Sequence, residues 1–263
     1  MLVHDARLSP GQALSLLAVT EGTLGIDIGG TGIKAALVDT SIGKLLTERL
    51  KVATPRPSTP PAVVDAALEL VGDLRASTIG IGFPAVVDPG GIVRTAMNID
   101  PGWLGVDVVQ LFSDRFGRRV TVLNDADAAA VAEARFGAAA GTDGLVIVIT
   151  FGTGIGSGFL FHGELVPNVE LGAMELDGHY PAEDHFSGRV REVDDLTWDE
   201  WGSRANRFLG HVDRVFTPEL IVLGGGIAKH WELFADQLDE ELQVVPATMG
   251  NSAGIVGAAL SAI

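Results

Sequence analysis

The sequence predicts an α/β protein whose two halves are built on the same plan. Each half contains a strand, a glycine-rich turn and a second strand, and the tetrapeptide GTGI occurs in both turns, at 30–33 and at 152–155. Amphipathic helical patterns follow both units. Because repetition of one supersecondary unit indicates duplication, we expect two α/β domains in this chain of 263 residues.

Composition and charge restrict the class of protein before any motif is considered. Hydrophobic residues make up 47% and charged residues 20%, which is enough for a core and argues against disorder. The net charge of −16 repels nucleic acid and anionic membranes, and no apolar run reaches the ~18 residues of a membrane span. Without cysteine there is no disulfide or thiolate zinc site. We therefore expect a cytoplasmic protein with no nucleic-acid or membrane partner.

The first half divides into a lead-in and one α/β domain. Residues 1–23 have neither a basic start nor a clear cleavage site, so they are expected to be a loose lead-in rather than a signal peptide. Residues 24–123 form the N-terminal domain. Its expected elements are strands at 24–28, 33–39, 44–53, 78–83 and 120–124, a helix from Pro61 to about Arg75, and a helix that ends at Gly117.

The second domain is expected to span residues 124–263. Its elements are an alanine-rich helix ending at Gly137, a strand–glycine–strand unit over 145–164, helices around 197–216 and 227–240, a strand over 220–226, and a last helix from about Ser252. We expect this last helix to cross back to the N-terminal domain.

The two glycine turns are suited to binding phosphate. Glycines expose backbone N–H groups, which are good donors to phosphate oxygens, and Thr31, Thr153 and Lys34 would add hydroxyl and ammonium donors. A tight turn without a ligand is the alternative, but two such turns at matching positions favour phosphate. No P-loop pattern occurs. The GTGIKA segment at 30–35 matches a relaxed dinucleotide pattern, yet it precedes a strand rather than a helix.

Asp27 lies directly before the first turn, where a carboxylate beside phosphate would be repulsive. A cation between the two would remove the repulsion, which indicates Mg²⁺ held by Asp27 through water. The second unit has Ile149 at the corresponding position. The alternative is an aspartate bonded locally to the backbone of its turn.

Further carboxylates and glycines follow other strands. Asp125 comes after the strand ending at Asn124 and is either the N-cap of the next helix or a general base that opens into a cleft. Asp127 is expected to be solvated. The loop after the second hairpin carries Glu170 and Glu175, which either bind a polyol or are simply exposed. The GGG run at 224–226 either admits a ribose or base or forms a plain turn.

Taken together, the motifs resemble those of a known family. The segments are DIGGTGIKAALVD, GIGFPAVVD, TAMNIDPGW, LNDADAAAVAEARFG, TFGTGIGSG, ELG and LIVLGGGI. In this order they resemble the ROK family of sugar kinases, and TWDEW and VVPATMGNSAGIVGAAL are similar to its polyphosphate-dependent glucokinase branch. The resemblance covers about residues 24–262.

This resemblance implies a fold, a reaction and a set of site residues. The fold is the duplicated, two-domain, actin-like ATPase (ribonuclease H-like) fold, and the reaction moves a phosphoryl group from polyphosphate or ATP to the 6-hydroxyl of glucose, or of mannose, with Mg²⁺. The protein would be a homodimer. Asp125 becomes the general base. The sugar contacts are Asn98, Asn124, Asp125, Glu170 and, through a shifted match, Glu183; the phosphate contacts are Gly29, Gly30, Thr31, Lys34, Gly152, Thr153 and Gly154; and Gly224, Gly225 and Gly226 line the nucleoside side.

The chain departs from the family at one sugar-binding motif. The family pattern Glu-x-Gly-His reads here Glu170-Leu171-Gly172-Ala173, so one histidine contact to the sugar is missing. Three explanations stay open: another group such as His179 replaces it, the sugar specificity has changed, or the protein is a sugar- and phosphate-binding pseudokinase. The cysteine-rich zinc motif of many members is absent as well, so no zinc is expected.

Two questions about partners also stay open at this stage. A polyphosphate donor requires a basic patch on an acidic chain, and the candidates either cluster or are scattered over the surface: Lys34, Arg94, Arg189, Arg191, Arg204, Arg207 and Lys229. A non-catalytic sugar-binding role is the second hypothesis. Repressors of the family carry an N-terminal DNA-binding helix pair, for which residues 1–23 are too short.

Overall fold

Two mixed β-sheets that share one topology form the framework of the molecule. The computed structural model describes residues 22–263, so nearly all of the predicted lead-in lies outside the described residues. The first sheet contains β1 (Thr23–Ile28), β2 (Gly32–Asp39), β3 (Lys44–Leu45), β4 (Leu50–Ala53), β5 (Thr78–Phe83) and β6 (Arg119–Asn124). The second contains β7 (Leu145–Phe151), β8 (Ile155–Phe161), β9 (Glu164–Val166), β10 (Leu220–Gly224) and β11 (Val244–Pro246).

The order of the strands repeats between the two sheets. The first sheet runs β3-β2-β1-β5-β6, with β4 also paired to β2, and the second runs β9-β8-β7-β10-β11. In each sheet a central strand (β1 or β7) pairs antiparallel with its hairpin partner and parallel with the strand on its other side. The duplication predicted from the two GTGI turns is therefore present in the topology.

Seven α-helices connect and cover these strands over residues 22–263. They are α1 (Pro60–Val71), α2 (Val108–Phe116), α3 (Asp125–Phe136), α4 (Glu183–Phe186), α5 (Gly188–Val193), α6 (Trp198–Phe216) and α7 (Ala253–Leu260). Short 3₁₀ segments occur at Pro101–Trp103, Leu171–Ala173, Ala228–Leu233, Ala235–Gln237 and Gly250–Ser252. None of the described helices is long and apolar enough to cross a membrane.

Two expected elements were wrong in detail. The single strand predicted over 44–53 is two short strands. Leu37 O of β2 accepts from Leu46 N, but Leu37 N donates to the Thr47 hydroxyl instead of to a backbone carbonyl, and this interrupts the strand pairing. The helix predicted near 227–240 is two 3₁₀ segments. They are separated at Phe234, whose φ of −139° is incompatible with a continuous helix.

Each sheet has its own hydrophobic core. Trp103 lies fully buried between the first sheet and α2, where its ring is edge-on to Phe83 with 4.7 Å between centroids, and its indole N–H donates to Ser58 O at 2.8 Å. Trp201 of α6 has the same role under the second sheet, packed edge-on against Phe151 and donating to Ser187 O. Buried tryptophans need such a partner for the indole N–H.

Helix α7 packs directly on the backbone of its neighbours. A β-carbon at Gly257 would lie 1.6 Å from Ala128 O in α3. On the first sheet, β-carbons at Gly25 and Gly80 would lie 2.0 Å from Ile255 O and 1.7 Å from Ala258 O. Only glycine permits such an approach, so α7 is held between α3 and strands β1 and β5.

The domain boundary predicted between residues 123 and 124 stays a prediction.

The entry into α7 is fixed by a buried carboxylate. Glu133, near the end of α3, accepts hydrogen bonds from Ala138 N at 2.7 Å and from Met249 N at 2.8 Å, and Thr248 N lies 3.3 Å away. The side chain is 1% exposed. It therefore ties the end of α3 to the segment that begins α7.

Replacing one of the close-packed glycines should destabilise the protein. In a Gly257→Ala variant the methyl group collides with the α3 backbone, and we expect a loss of about 1–3 kcal/mol in the free energy of unfolding. Gly210 in α6 is the matched control, because no atom lies within 4 Å of its β position. Gly210→Ala should stabilise by about 0.5–1 kcal/mol. Urea denaturation measures both, and equal effects would contradict the packing described for α7.

Candidate active site

The two glycine turns lie on either side of Asn98, one next to its backbone carbonyl and the other next to its side-chain amide. A β-carbon at Gly30 would lie 3.3 Å from Asn98 O, and one at Gly154 would lie 2.9 Å from Asn98 Nδ2. Each turn is closed by its own backbone bond, Gly29 N to Gly32 O and Gly152 N to Gly154 O, both 3.0 Å long. The structure thus brings together two segments that are far apart in the sequence.

The first turn carries an acid and a base in contact. Asp27 and Lys34 are direct neighbours across β1 and β2, and Lys34 Nζ lies 2.7 Å from Asp27 Oδ2. On its other side Asp27 adjoins α7, where a β-carbon at Gly254 would lie 2.8 Å from its Cγ. The aspartate is therefore paired with Lys34 rather than bonded to its own turn.

Asn124 and Asp125 lie where β6 passes into α3. Asn124 is the N-cap, since its Oδ1 accepts from Ala126 N at 2.8 Å and from Asp127 N at 3.2 Å. The N-cap alternative for Asp125 was therefore wrong. The Asn124 side-chain amide donates to Glu170 Oε1 at 3.2 Å, which links the end of β6 to the loop after the second hairpin.

The carboxylates of this region shift each other's titration. Burial raises the pKa of Asp125 to about 8, and the charges of Asp27 and Glu170 add to the effect. Burial likewise raises the pKa of Glu170 to about 7, with further contributions from Glu183 and Asp127. Because these carboxyl groups are close enough for the charge of one to shift the pKa of another, they lie around one cleft.

Asp127 is a residue of the site that the sequence did not reveal. It was expected to be solvated, but it is 1% exposed, and burial raises its pKa to about 6. Asp127 Oδ2 accepts from Asn168 N at 2.8 Å, whereas Oδ1 is buried without a partner among residues 22–263. Asn168 in turn donates through Nδ2 to Val87 O at 3.0 Å. The position two residues after Asp125 gave no signal of this burial.

Glu183 lies beside the second glycine turn. Its Oε2 accepts from Ile155 N at 3.0 Å and would lie 2.2 Å from a β-carbon on Gly154. Ala173 closes the short 3₁₀ segment that follows Glu170. His179 instead stacks on His185, with 3.7 Å between ring centroids, in a separate cavity of about 410 Å³ that Arg204 and Arg207 also line.

The third glycine cluster borders the strand that leads into the second turn. Gly225 has a φ of +82°, and a β-carbon there would lie 2.4 Å from Phe151 O, so both conformation and space require glycine. No atom lies within 4 Å of the β position of Gly226. The exposed Gly225 and Gly226 therefore leave an open surface next to the second turn. Glu175, in the loop after the second hairpin, is also exposed.

The residues present are compatible with a Mg²⁺ ion held mainly by water. Over residues 22–263, no three histidine, aspartate or glutamate side chains come together as a metal cage. Asp27 offers a single carboxylate beside the first glycine turn. This suits Mg²⁺, which usually keeps several waters and binds one or two carboxylates together with substrate phosphates.

Several of the basic residues considered for polyphosphate are already paired with acids. Arg94 contacts Asp88, and Arg207 contacts Asp177. Arg204 lies 2.9 Å from Asp194. The charges of these three arginines are therefore largely neutralised by three separate ion pairs.

Comparison with known proteins gives relatives over nearly the whole chain. The ROK family model matches residues 23–190. The polyphosphate glucokinase of Mycobacterium tuberculosis (strain CDC 1551 / Oshkosh) is 41% identical over 241 residues, which cover 91% of this chain and 90% of that protein.

Solved structures agree with this relationship and confirm the expected actin-like ATPase fold. The inorganic polyphosphate/ATP-glucomannokinase from Arthrobacter sp. strain KM is 49% identical with a TM-score of 0.88, covering 91% of this chain and 97% of that one. A ROK family glucokinase from Streptomyces griseus, in complex with glucose and AMPPNP, is 29% identical with a TM-score of 0.76, covering 92% and 99%. The chain belongs to the ROK family.

Proposed function

We propose that this protein is a glucokinase that transfers a phosphoryl group from polyphosphate or ATP to the 6-hydroxyl of glucose, with mannose as a second acceptor. The relatives support the reaction, since they are a polyphosphate glucokinase and a polyphosphate/ATP-glucomannokinase. The observation that carries it is the half-buried Asp125 in a carboxylate cluster beside the two glycine turns. The pseudokinase alternative is not favoured, because the relatives that match nearly the whole chain are a polyphosphate glucokinase and a polyphosphate/ATP-glucomannokinase.

The sugar is assigned to the cleft between the turns. Asn98, Asn124, Asp125 and Glu170 supply amide and carboxylate groups that match the hydroxyls of a hexose. Glu183 is a further contact. A raised pKa at Glu170 lets this carboxyl donate as well as accept a hydrogen bond near neutral pH.

The donor phosphates are assigned to the two turns. Backbone N–H groups of the glycines and the exposed hydroxyls of Thr31 and Thr153 would hold phosphate oxygens. Lys34 would add charge to the first turn. A nucleoside would lie against Gly225 and Gly226, which are the exposed glycines of the run 224–226 beside the second turn.

Mg²⁺, oriented by Asp27 through water, would neutralise charge on the donor phosphates. Asp125 accepts the proton of the sugar 6-hydroxyl. The hydroxyl oxygen then forms a bond to the terminal phosphorus, the bond to the bridging oxygen breaks, and the donor leaves one phosphate shorter. A base with a raised pKa is a strong proton acceptor once it is ionised. Cytoplasmic location and a homodimer stay predictions.

Replacement of the base tests the assignment of Asp125. Asp125→Asn should lower kcat by about 10²–10⁴, measured as glucose 6-phosphate formed from either donor. Since the folded-state pKa is raised from 3.8 to about 8, its ionisation weakens folding as pH rises through that range. The variant should therefore exceed the wild type in Tm, and by more at pH 8 than at pH 4. Asp184→Asn, at an exposed position that follows Glu183 in the sequence, is the control and should change neither quantity.

The pH dependence of the reaction should reflect the same carboxylate. Because Asp125 must be ionised to act as the base, kcat/KM for glucose should rise with pH up to about 8. Glu170→Gln removes one of the charges that raise this pKa, so the midpoint should move to lower pH even though the overall rate falls. A profile that is flat from pH 6 to 8, or a midpoint that moves upward, would contradict the coupling.

The presence of Ala173 in place of the family histidine leads to a prediction about the affinity for glucose. We expect weak binding of glucose, and an Ala173→His variant should regain a hydrogen bond to a sugar hydroxyl. Such a bond contributes about 1–2 kcal/mol, so the KM for glucose should fall about tenfold while the KM for the donor stays constant. Initial-rate measurements at saturating donor decide this, and a micromolar KM in the unmodified protein would speak against it.

A further inference from the structure

We propose that Lys51 and Arg56, together with Lys34, form a binding site for the units of a polyphosphate donor that lie behind its transferred phosphate. These three residues form a cationic track. The proposal rests on the proposed function, and it names the part of the site that distinguishes polyphosphate from a nucleotide.

The strand register places the lysines of the track side by side. Asp27, Lys34 and Lys51 are direct partners across β1, β2 and β4. Residues directly opposite in antiparallel strands point to the same face of a sheet. The acid and the two lysines therefore form one row on the face that carries α7, at the end of the sheet where the first glycine turn lies.

Two further contacts bring the track onto that turn. Lys51 Cε lies 3.4 Å from where a β-carbon on Gly32 would be. Arg56 Nη2 donates to Gly30 O at 2.9 Å. Both side chains are exposed, so their charged ends are open to a ligand bound at the turn.

The segment between these residues is anchored to the turn. Thr54 donates through Oγ1 to Gly29 O at 2.6 Å, and its N–H donates to Thr31 O at 3.3 Å. Thr54 is 5% exposed. Lys51 and Arg56 are therefore held at a set distance from the phosphate-binding backbone rather than carried by an independent loop.

Two of the three positive charges of the track are not balanced by an ion pair with the protein. Within residues 22–263, Asp27 pairs with Lys34, while neither Lys51 nor Arg56 takes part in an ion pair. Like charges directly opposite in a sheet are unfavourable. On a chain with a net charge of −16, two uncompensated cations beside a phosphate-binding turn favour a polyanionic ligand.

The chemistry of the two donors explains why the track favours polyphosphate. ATP has three phosphates and gains affinity from its base and ribose, for which the exposed Gly225 and Gly226 lie beside the other turn. Polyphosphate has neither group, and every unit behind its terminal phosphate is another anion. Charge-assisted contacts to those units are the interactions available to it, and Lys51 and Arg56 would supply them.

The experiment compares donors in a double variant. Lys51→Gln/Arg56→Gln should raise the KM for long-chain polyphosphate about tenfold or more, and kcat/KM for ATP should change less than about threefold. The increase in KM with ionic strength should also be smaller for polyphosphate, since fewer charges remain to be screened. Lys44→Gln/Arg75→Gln removes the same charge from exposed positions away from the turn and is the control.

The outcomes separate this proposal from the proposed function. An unchanged KM for polyphosphate, an equal loss with both donors, or a wild type that uses ATP alone would overturn the cationic track and leave the kinase intact. A wild type that uses neither donor would overturn the kinase itself. If the double variant does not fold, Lys51→Gln and Arg56→Gln are compared singly for tripolyphosphate protection against thermal unfolding, and protection equal to that of the wild type counts against the proposal.

Discussion

The contact on which the rest of the structure depends is the backbone packing of α7 between α3 and the first sheet. Because glycines replace side chains along these contacts, helix and strand backbones approach to distances that no other residue permits. The approach brings the beginning of α3, with Asp125, and the end of β1, with Asp27, to the same cleft. Glu133 then fixes the entry of α7 from the opposite end of α3.

The cleft assembled in this way brings several carboxyl groups close together in a partly buried environment, which is unfavourable for their ionised forms. Asp27, Asp125, Asp127, Glu170 and Glu183 interact across it, and burial raises the pKa of three of them. Each raised pKa means that the ionised group weakens folding near neutral pH. A carboxylate retained at such a cost is suited to accept a proton, so stability is exchanged for basicity.

Polar contacts within the cleft also join segments that are far apart in the sequence. Asp127 holds the backbone of Asn168, Asn168 holds Val87, and Asn124 holds Glu170. These bonds connect the loop after the second hairpin to the first sheet. The carboxylates of the cleft are therefore tied by hydrogen bonds to both sheets.

Local patterns in the sequence determined the strands that flank each GTGI turn, the end of a helix at Gly117, and the position of Asp125 directly after a strand. These follow from side-chain periodicity and from short-range hydrogen bonds, which neighbouring residues set. Only the tertiary structure decided that Asp127 is buried, that residues 44–53 form two strands, and that Lys51 and Arg56 lie on the first glycine turn. Burial, strand register and long-range charge depend on which distant segments meet, and no local pattern encodes that.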